Sequence, residues 1–217
     1  MRSLPAQLRQ QRPRLPGLGF GTSSLHEGPP PGVRAAERAL AATMPPARRS
    51  EFLIGRCALH RALRDAGIEA GAVLFDGRGP GLPPGVTGSI SHANGMAVAI
   101  AARTHEVLSL GIDVEFTVPP LEAAHLVLGP GDQRSLVTRR GEVARDRLLR
   151  AFSAKEAAFK ALSPLVGAAG LPGLRAVRLE PLGAGFAAWP VDRPELVAEV
   201  TVRPLPAGVL SWAALRP

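Results

Sequence analysis

Two lysines stand alone in this chain. Of its 26 Lys and Arg residues, 24 are arginine, and Lys155 and Lys160 share one stretch, Phe152-Ser153-Ala154-Lys155-Glu156-Ala157-Ala158-Phe159-Lys160. Arginine stays charged and grips oxyanions as a planar fork, whereas lysine is a compact ammonium whose pKa moves readily. Lysine where arginine is the habit marks the stretch as a candidate for proton transfer or close neutralisation of an anion. The same residues also fit local helix physics. Ser153 to Glu156 has the spacing of a capping box. Glu156 to Lys160 is an i,i+4 pair, worth about 0.2–0.5 kcal/mol on an exposed helix. A second constellation is Asp113-Val114-Glu115. Residues i and i+2 of a strand share a face, so these two carboxylates lie side by side. Paired hard-oxygen donors repel each other and suit Mg²⁺, which takes one or two carboxylates with waters and phosphate oxygens. The blander alternative is a strand whose second face is solvated.

Two more segments carry candidate ligands. Gly88-Ser89-Ile90-Ser91-His92-Ala93-Asn94-Gly95 combines close-approach glycines with hydroxyl and imidazole donors suited to phosphate. It is equally a glycine-rich hairpin. In Arg48-Arg49-Ser50-Glu51-Phe52 and onward to Leu63, Arg49, Arg56 and His60 recur at i, i+7 and i+11, which lines one helical stripe with cations. Such a stripe is either a solvated face or a polyphosphate clamp.

These residues need elements to hold them. Residues 1–32 read as a poorly structured lead closed by Pro29-Pro30-Pro31. Helices are expected at 33–42 and 47–66, the second with Phe52, Leu53, Leu59 and Leu63 at helical spacing and Gly67 as its stop. Short strands follow at 72–75, 86–91 and 96–102. Another spans 107–116, with Leu108, Leu110, Ile112 and Val114 alternating with Ser109, Gly111, Asp113 and Glu115. A helix over 142–162, with at most a break near Ser153, precedes strands at 175–180, 185–189, 196–203 and 208–214. Helix then strands, twice, predicts an α+β protein of two similar subdomains, 33–105 and 106–217.

Composition narrows the class. The net charge of +8 favours an anionic partner. The chain has 4% aromatic residues and no tyrosine, which leaves little with which to stack single-stranded bases. It carries no zinc-finger, RRM or bZIP signature and no Walker loop or Gly-x-Ser-x-Gly elbow. Cys57 has no partner for an internal disulfide. No run approaches the ~20 apolar residues of a membrane span, and no secretory signal opens the chain. A cytoplasmic protein that does not engage the membrane is expected. One basic cluster, Arg134, Arg139, Arg140, Arg145, Arg147 and Arg150, leaves a second class open. That class is a non-catalytic module binding nucleic acid or an acidic protein.

The order of these motifs resembles the 4′-phosphopantetheinyl transferase superfamily, in its larger monomeric type related to the surfactin- and enterobactin-synthetase-activating enzymes. The matching segments are the Arg48-to-Leu63 helix, Gly81-Leu82-Pro83 running into Gly88-Ser89-Ile90-Ser91-His92, Gly111-Ile112-Asp113-Val114-Glu115, and Phe152 to Lys160. The resemblance implies two subdomains in a pseudo-two-fold arrangement with the active site in the cleft between them. It implies transfer of the phosphopantetheine arm of coenzyme A to a serine of an apo acyl or peptidyl carrier protein, an acidic partner, with Mg²⁺ and without nucleic acid. Adenosine 3′,5′-bisphosphate would leave. The carrier would belong to secondary-metabolite, siderophore or related synthesis. Asp113, Glu115 and Glu156 would hold the metal. Arg48, Arg56, Arg78, Ser91, His92 and Lys155 would meet coenzyme A. Lys155 would neutralise the pyrophosphate or protonate the leaving phosphate, with Lys160 in support and Glu156 as a base for the incoming hydroxyl. Phe152 stands where the family usually has tryptophan. His60 stands where a second arginine is common, with Arg61 as the neighbouring cation.

Overall fold

Seven segments of the chain, 4–27, 32–75, 77, 79–129, 132, 145–167 and 170–217, are described by a computed structural model. Contacts divide the chain into two compact units, one ending at Leu108 and the other running from Ser109 to Arg216.

In the first unit, α1 (Leu4–Gln10) leads to β1 (Gly19–Ser24), then α2 (Ala35–Ala42), α3 (Pro46–Asp65), β2 (Val86–Ala93) and β3 (Met96–Arg103). The strands form an antiparallel sheet in the order β1-β3-β2. α3 starts on Pro46, whose missing N–H is harmless in a first turn. It stops where Gly67 takes a positive φ of 66°. It buries Ile54, Ala58, Leu59, Ala62 and Leu63 against Ala97, Ala99 and Ala101 of β3. β2 and β3 meet at Asn94-Gly95, both with positive φ (49° and 71°), the pairing that a two-residue hairpin turn needs.

The expected unstructured lead is a correction. Residues 19–24 are a fully buried strand, paired from Gly19↔Ala101 to Ser24↔Met96. Gly-Phe-Gly-Thr-Ser-Ser reads as a loop because glycine and serine are poor strand formers. The glycines are there for packing. A Cβ on Gly19 would lie 2.0 Å from the Ala62 carbonyl, and one on Gly21 2.0 Å from that of Ala58, so only glycine lets α3 lie on β1.

The strand expected at 72–75 does not form beyond one bridge, Phe75 to Pro80. Side chains take the backbone groups of Val73 instead. Its N–H donates to Glu37 (2.7 Å) and its carbonyl accepts from Arg56 Nε (2.6 Å).

The second unit holds β4 (Ser109–Glu115), a short α4 (Ala124–Val127), α5 (Arg145–Leu162), β5 (Val177–Leu182), β6 (Gly185–Pro190), β7 (Ala198–Leu205) and β8 (Gly208–Leu215). The five strands are antiparallel in the order β4-β8-β7-β6-β5. α5 buries Leu148, Ala154, Ala157, Ala158, Ala161 and Leu162 against Val177, Val200, Val209, Ala213 and Leu215. It runs unbroken through Ser153, which is fully buried inside the helix and caps nothing. β4 repeats the device of β1: a Cβ on Gly111 would lie 1.9 Å from the Ala157 carbonyl.

Candidate active site

β4 and α5 bring the acidic residues together. Asp113 is buried on β4, and its Oδ1 accepts from Lys160 Nζ at 3.0 Å. The same ammonium donates to the Ile112 carbonyl at 3.0 Å, so Lys160 spans from helix to strand. Glu115 Oε1 accepts the N–H groups of Phe116 and Thr117, each at 2.8 Å. Glu156 lies one helical turn before Lys160, half-buried. Burial pushes its pKa above the usual carboxylate range, Lys160 pulls it down, and the charges of Asp113 and Glu115 push it up again. Three carboxylates that sense one another with a single ammonium among them are short of positive charge. Among the described residues, no three His, Cys, Asp or Glu side chains stand in an arrangement ready for a metal. Lys160 sits on Asp113, and Glu115 is turned to its own backbone. The donor set itself, three hard carboxylates under mutual repulsion, fits Mg²⁺.

In the first unit α3 and β2 bring together Arg48 and His92. Arg48 NH1 lies 3.4 Å from His92 Nε2, and because arginine only donates, that nitrogen is the acceptor. Glu51 joins them, at 3.4 Å from Arg48 NH1 and 3.8 Å from His92 Nδ1. Ser91 precedes His92 on β2 and is buried. Arg56 is buried too. It donates to the carbonyls of Val73 and Leu74 (2.6 and 3.3 Å) and stacks 4.4 Å over the Phe52 ring. Burial lowers its pKa, Glu37 raises it, and Arg48 lowers it again, so two guanidinium charges bear on each other here. An anion would relieve that repulsion.

Several expected site residues fall elsewhere. Lys155 is a correction. The sequence reading sets it on the pyrophosphate, but it is 0% exposed and all three of its N–H groups are taken. They go to Asp132 Oδ2 (2.6 Å), the Val177 carbonyl (2.7 Å) and the Leu174 carbonyl (3.2 Å). Adjacent helix positions point about 100° apart, so Lys155 enters the core while Glu156 faces the carboxylates. Burial holds its pKa below the ordinary lysine value, and Asp132 opposes that. The cationic stripe of α3 also dissolves. Arg49 closes the end of α2 by donating to the carbonyls of Ala41, Ala42 and Met44. His60 is buried on Glu37 (2.8 Å). Arg61 holds the Thr22 carbonyl and Glu27. Arg78 lies outside the described residues, as do Arg134, Arg139 and Arg140 of the basic cluster.

The sequence reading also missed two carboxylates, Glu51 and Asp132. Glu51 sits three residues after Arg48, a spacing that could have flagged it. Asp132 meets Lys155 across 23 residues with no periodic signal to announce it.

Two family models match the chain. The 4′-phosphopantetheinyl transferase N-terminal domain matches residues 36–102. The 4′-phosphopantetheinyl transferase superfamily matches residues 109–193. The 4′-phosphopantetheinyl transferase Svp of Streptomyces mobaraensis is 40% identical over 136 residues, 60% of this chain and 54% of that protein. Enterobactin synthase component D of Salmonella typhi is 32% identical over 173 residues, 79% of this chain and 70% of that protein. The 4′-phosphopantetheinyl transferase PptT of Mycobacterium tuberculosis is 35% identical over 149 residues, 63% of this chain and 61% of that protein. The chain therefore spans little more than half of the first of these relatives.

Proposed function

The chain belongs to the 4′-phosphopantetheinyl transferase superfamily, and from that premise we propose that it moves the 4′-phosphopantetheine arm of coenzyme A onto a serine of an apo acyl or peptidyl carrier protein. The observation that carries this is the meeting of Asp113 and Glu115 on β4 with Glu156 and Lys160 on α5, a donor set for Mg²⁺ beside a cation for phosphate.

In this reading Asp113, Glu115 and Glu156 hold Mg²⁺, which when bound neutralises the pyrophosphate and polarises the reacting phosphorus. Arg48, His92 and Ser91 bind the coenzyme A phosphates, with Arg56 adding its charge from beneath. Lys160 leaves Asp113 for a phosphate oxygen. Glu156 takes the proton of the serine hydroxyl as its oxygen attacks phosphorus. The phosphorus–oxygen bond to adenosine 3′,5′-bisphosphate breaks with it. Phosphoryl transfer of this kind rests mostly on positioning and charge neutralisation. The net charge of +8 suits both an anionic co-substrate and an acidic carrier. A carrier from siderophore synthesis fits the relative named for enterobactin synthase. No helix among the described residues is long and apolar enough to cross a membrane.

The test is the intact mass of an apo carrier protein after incubation with the chain, coenzyme A and Mg²⁺. A gain of one phosphopantetheine, abolished by EDTA, is expected. No gain with acyl or peptidyl carriers, and no coenzyme A binding, would overturn the reading.

A further inference from the structure

Lys155 and its carboxylate partner have a partial counterpart in the other unit, where the buried carboxylate Glu37 pairs with His60 and the cation Arg56 bonds backbone carbonyls alone. Asp132, 2% exposed, accepts from Lys155 Nζ, from the N–H of Gly129 three residues earlier (2.8 Å) and from the N–H of Leu179 on β5 (3.2 Å). Lys155 in turn donates to the carbonyls of Leu174 and Val177, where the chain enters β5. The pair therefore ties three stretches: the segment before α5, the middle of α5 and the segment after it. In the first unit Glu37, fully buried, accepts from the N–H of Arg34 three residues earlier (2.7 Å) and from the N–H of Val73 beyond the helix (2.7 Å). Arg56, one residue before the Cys57 of mid-α3, donates to the carbonyls of Val73 and Leu74.

The register of the two helices matches as well. Gly21 lies against Ala58 and Ala62, and Gly111 lies against Ala157 and Ala161. Counting back from these alanines, Lys155 stands at the place of Arg56, and Lys160 at the place of Arg61. Arg61 holds the Thr22 carbonyl one residue after Gly21, as Lys160 holds the Ile112 carbonyl one residue after Gly111. A buried cation that is built once as lysine and once as arginine serves a purpose that needs charge and reach, not the release of a proton.

We propose that Lys155 and Asp132 are positioning residues: they lock the rotation and rise of α5 against β5 and residue 129, so that Glu156 and Lys160 face Asp113 and Glu115, and Lys155 touches neither coenzyme A nor the carrier serine. The proposal rests on the transferase reading for its catalytic arm only.

The test uses the full chain with Lys155→Met, Asp132→Leu, the double variant and Asp132→Asn. Each is measured for thermal unfolding, for Mn²⁺ binding by electron spin resonance, for coenzyme A binding by calorimetry and for carrier modification by mass. Each of Lys155→Met and Asp132→Leu strands one buried charge and should unfold at lower temperature. An apolar pair of similar size removes both buried charges but also the bonds to the Gly129 and Leu179 N–H groups and the Leu174 and Val177 carbonyls, so the double variant should recover part of the melting temperature that either single variant loses and turn over within about 10-fold of the parent. A double variant that recovers in this way but stays at background turnover would give Lys155 a chemical role and overturn the proposal. Asp132→Asn keeps the side chain's shape and one oxygen acceptor, gives up the acceptor of one of the two backbone N–H groups, and decides the matter if the double variant does not fold. It should weaken Mn²⁺ binding about 10-fold and leave coenzyme A affinity within about 3-fold. A lowered melting temperature with unchanged Mn²⁺ affinity would reduce the pair to a structural role and also overturn it. A parent protein that modifies no carrier sinks the transferase reading instead, and the Mn²⁺ and melting arms still judge the clamp.

Discussion

Replacing Gly111 with alanine should separate the two elements that carry the acidic site. An added Cβ would lie 1.9 Å from the Ala157 carbonyl oxygen and 2.8 Å from the Ala161 nitrogen. Both are helix backbone, so no side chain can rotate away. Ordinary C···O contact begins near 3.3 Å, so α5 must retreat by roughly 1.4 Å. The bonds from Lys160 Nζ to Ile112 and Asp113, each 3.0 Å now, then stretch past useful length. The 2.6 Å bond from Ser109 Oγ to the Ala161 carbonyl goes with them. Overpacking alone costs about 1–3 kcal/mol, and the lost bonds bring the total to the top of that range or beyond, about 3 kcal/mol. In a chain of this length that lowers the melting temperature by about 6–12 °C. Gly71→Ala is the control, because nothing lies within 4 Å of a Cβ there. The assay is thermal unfolding with and without Mg²⁺, followed by carrier modification across a Mg²⁺ titration. Gly111→Ala should melt low and need more Mg²⁺, while Gly71→Ala should match the parent. Equal melting temperatures for all three would refute the close-contact argument. A destabilised Gly111→Ala with unchanged Mg²⁺ demand would show that helix–strand spacing does not set the metal site.

Glu156→Gln should stabilise the metal-free protein: a carboxyl whose folded pKa is raised weakens the fold as pH climbs through its ordinary 4.5. The same change should cancel the rise in melting temperature on adding Mg²⁺ and cut turnover at least ~100-fold; a lower metal-free melting temperature would contradict it. Glu37 has the opposite sign. Burial alone would raise its pKa, but hydrogen bonds from His60 and from the N–H groups of Arg34 and Val73 win and lower it. Its contribution is complete above 4.5 and is lost as pH falls from there through the folded value. Denaturant midpoints should therefore show Glu37→Gln weaker than the parent by about 2–3 kcal/mol at pH 7, with the gap closing in acid; a gap independent of pH would count against it. Lys155→Arg should destabilise the fold and Lys160→Arg should not, and paired melting curves that coincide would refute the donor counting given below.

Periodicity made the long elements legible. α3 and α5 follow from apolar residues at helical spacing, and β4 from strict alternation, because each buries one face against a core. Those patterns also brought Asp113, Glu115, Glu156 and Lys160 onto facing elements. What stayed hidden depends on contacts that no period encodes. β1 hides because Gly19 and Gly21 were chosen for the approach of α3, not for strand propensity. The segment at 72–75 looks like a strand because Val73 is buried, yet its backbone is satisfied by Glu37 and Arg56. The rarity of lysine singled out Lys155 and Lys160 together, but a single signal covered two different jobs, and only the partner Asp132 tells them apart.

The choice of lysine at both places follows from counting donors. At 155 the cavity offers three acceptors, the Asp132 carboxylate and the carbonyls of Leu174 and Val177, and no solvent. An ammonium has three N–H groups and meets them one for one. A guanidinium carries five, and each donor left over in a site without water costs about 1–3 kcal/mol. At 56 the cation is a guanidinium because its surroundings differ. The Phe52 ring takes its flat face, and it retains 6% exposure. At 160 the side chain is 28% exposed, so surplus donors would reach water and the fold would tolerate arginine. There, on the proposed reading, lysine serves reach and release. A single-point ammonium can bridge Ile112 and Asp113 and then swing to a phosphate, whereas a planar fork would settle on the Asp113 carboxylate with two bonds and hold it away from a metal. Lys155→Arg should therefore fail in the fold, and Lys160→Arg, on the proposed reading, in the chemistry.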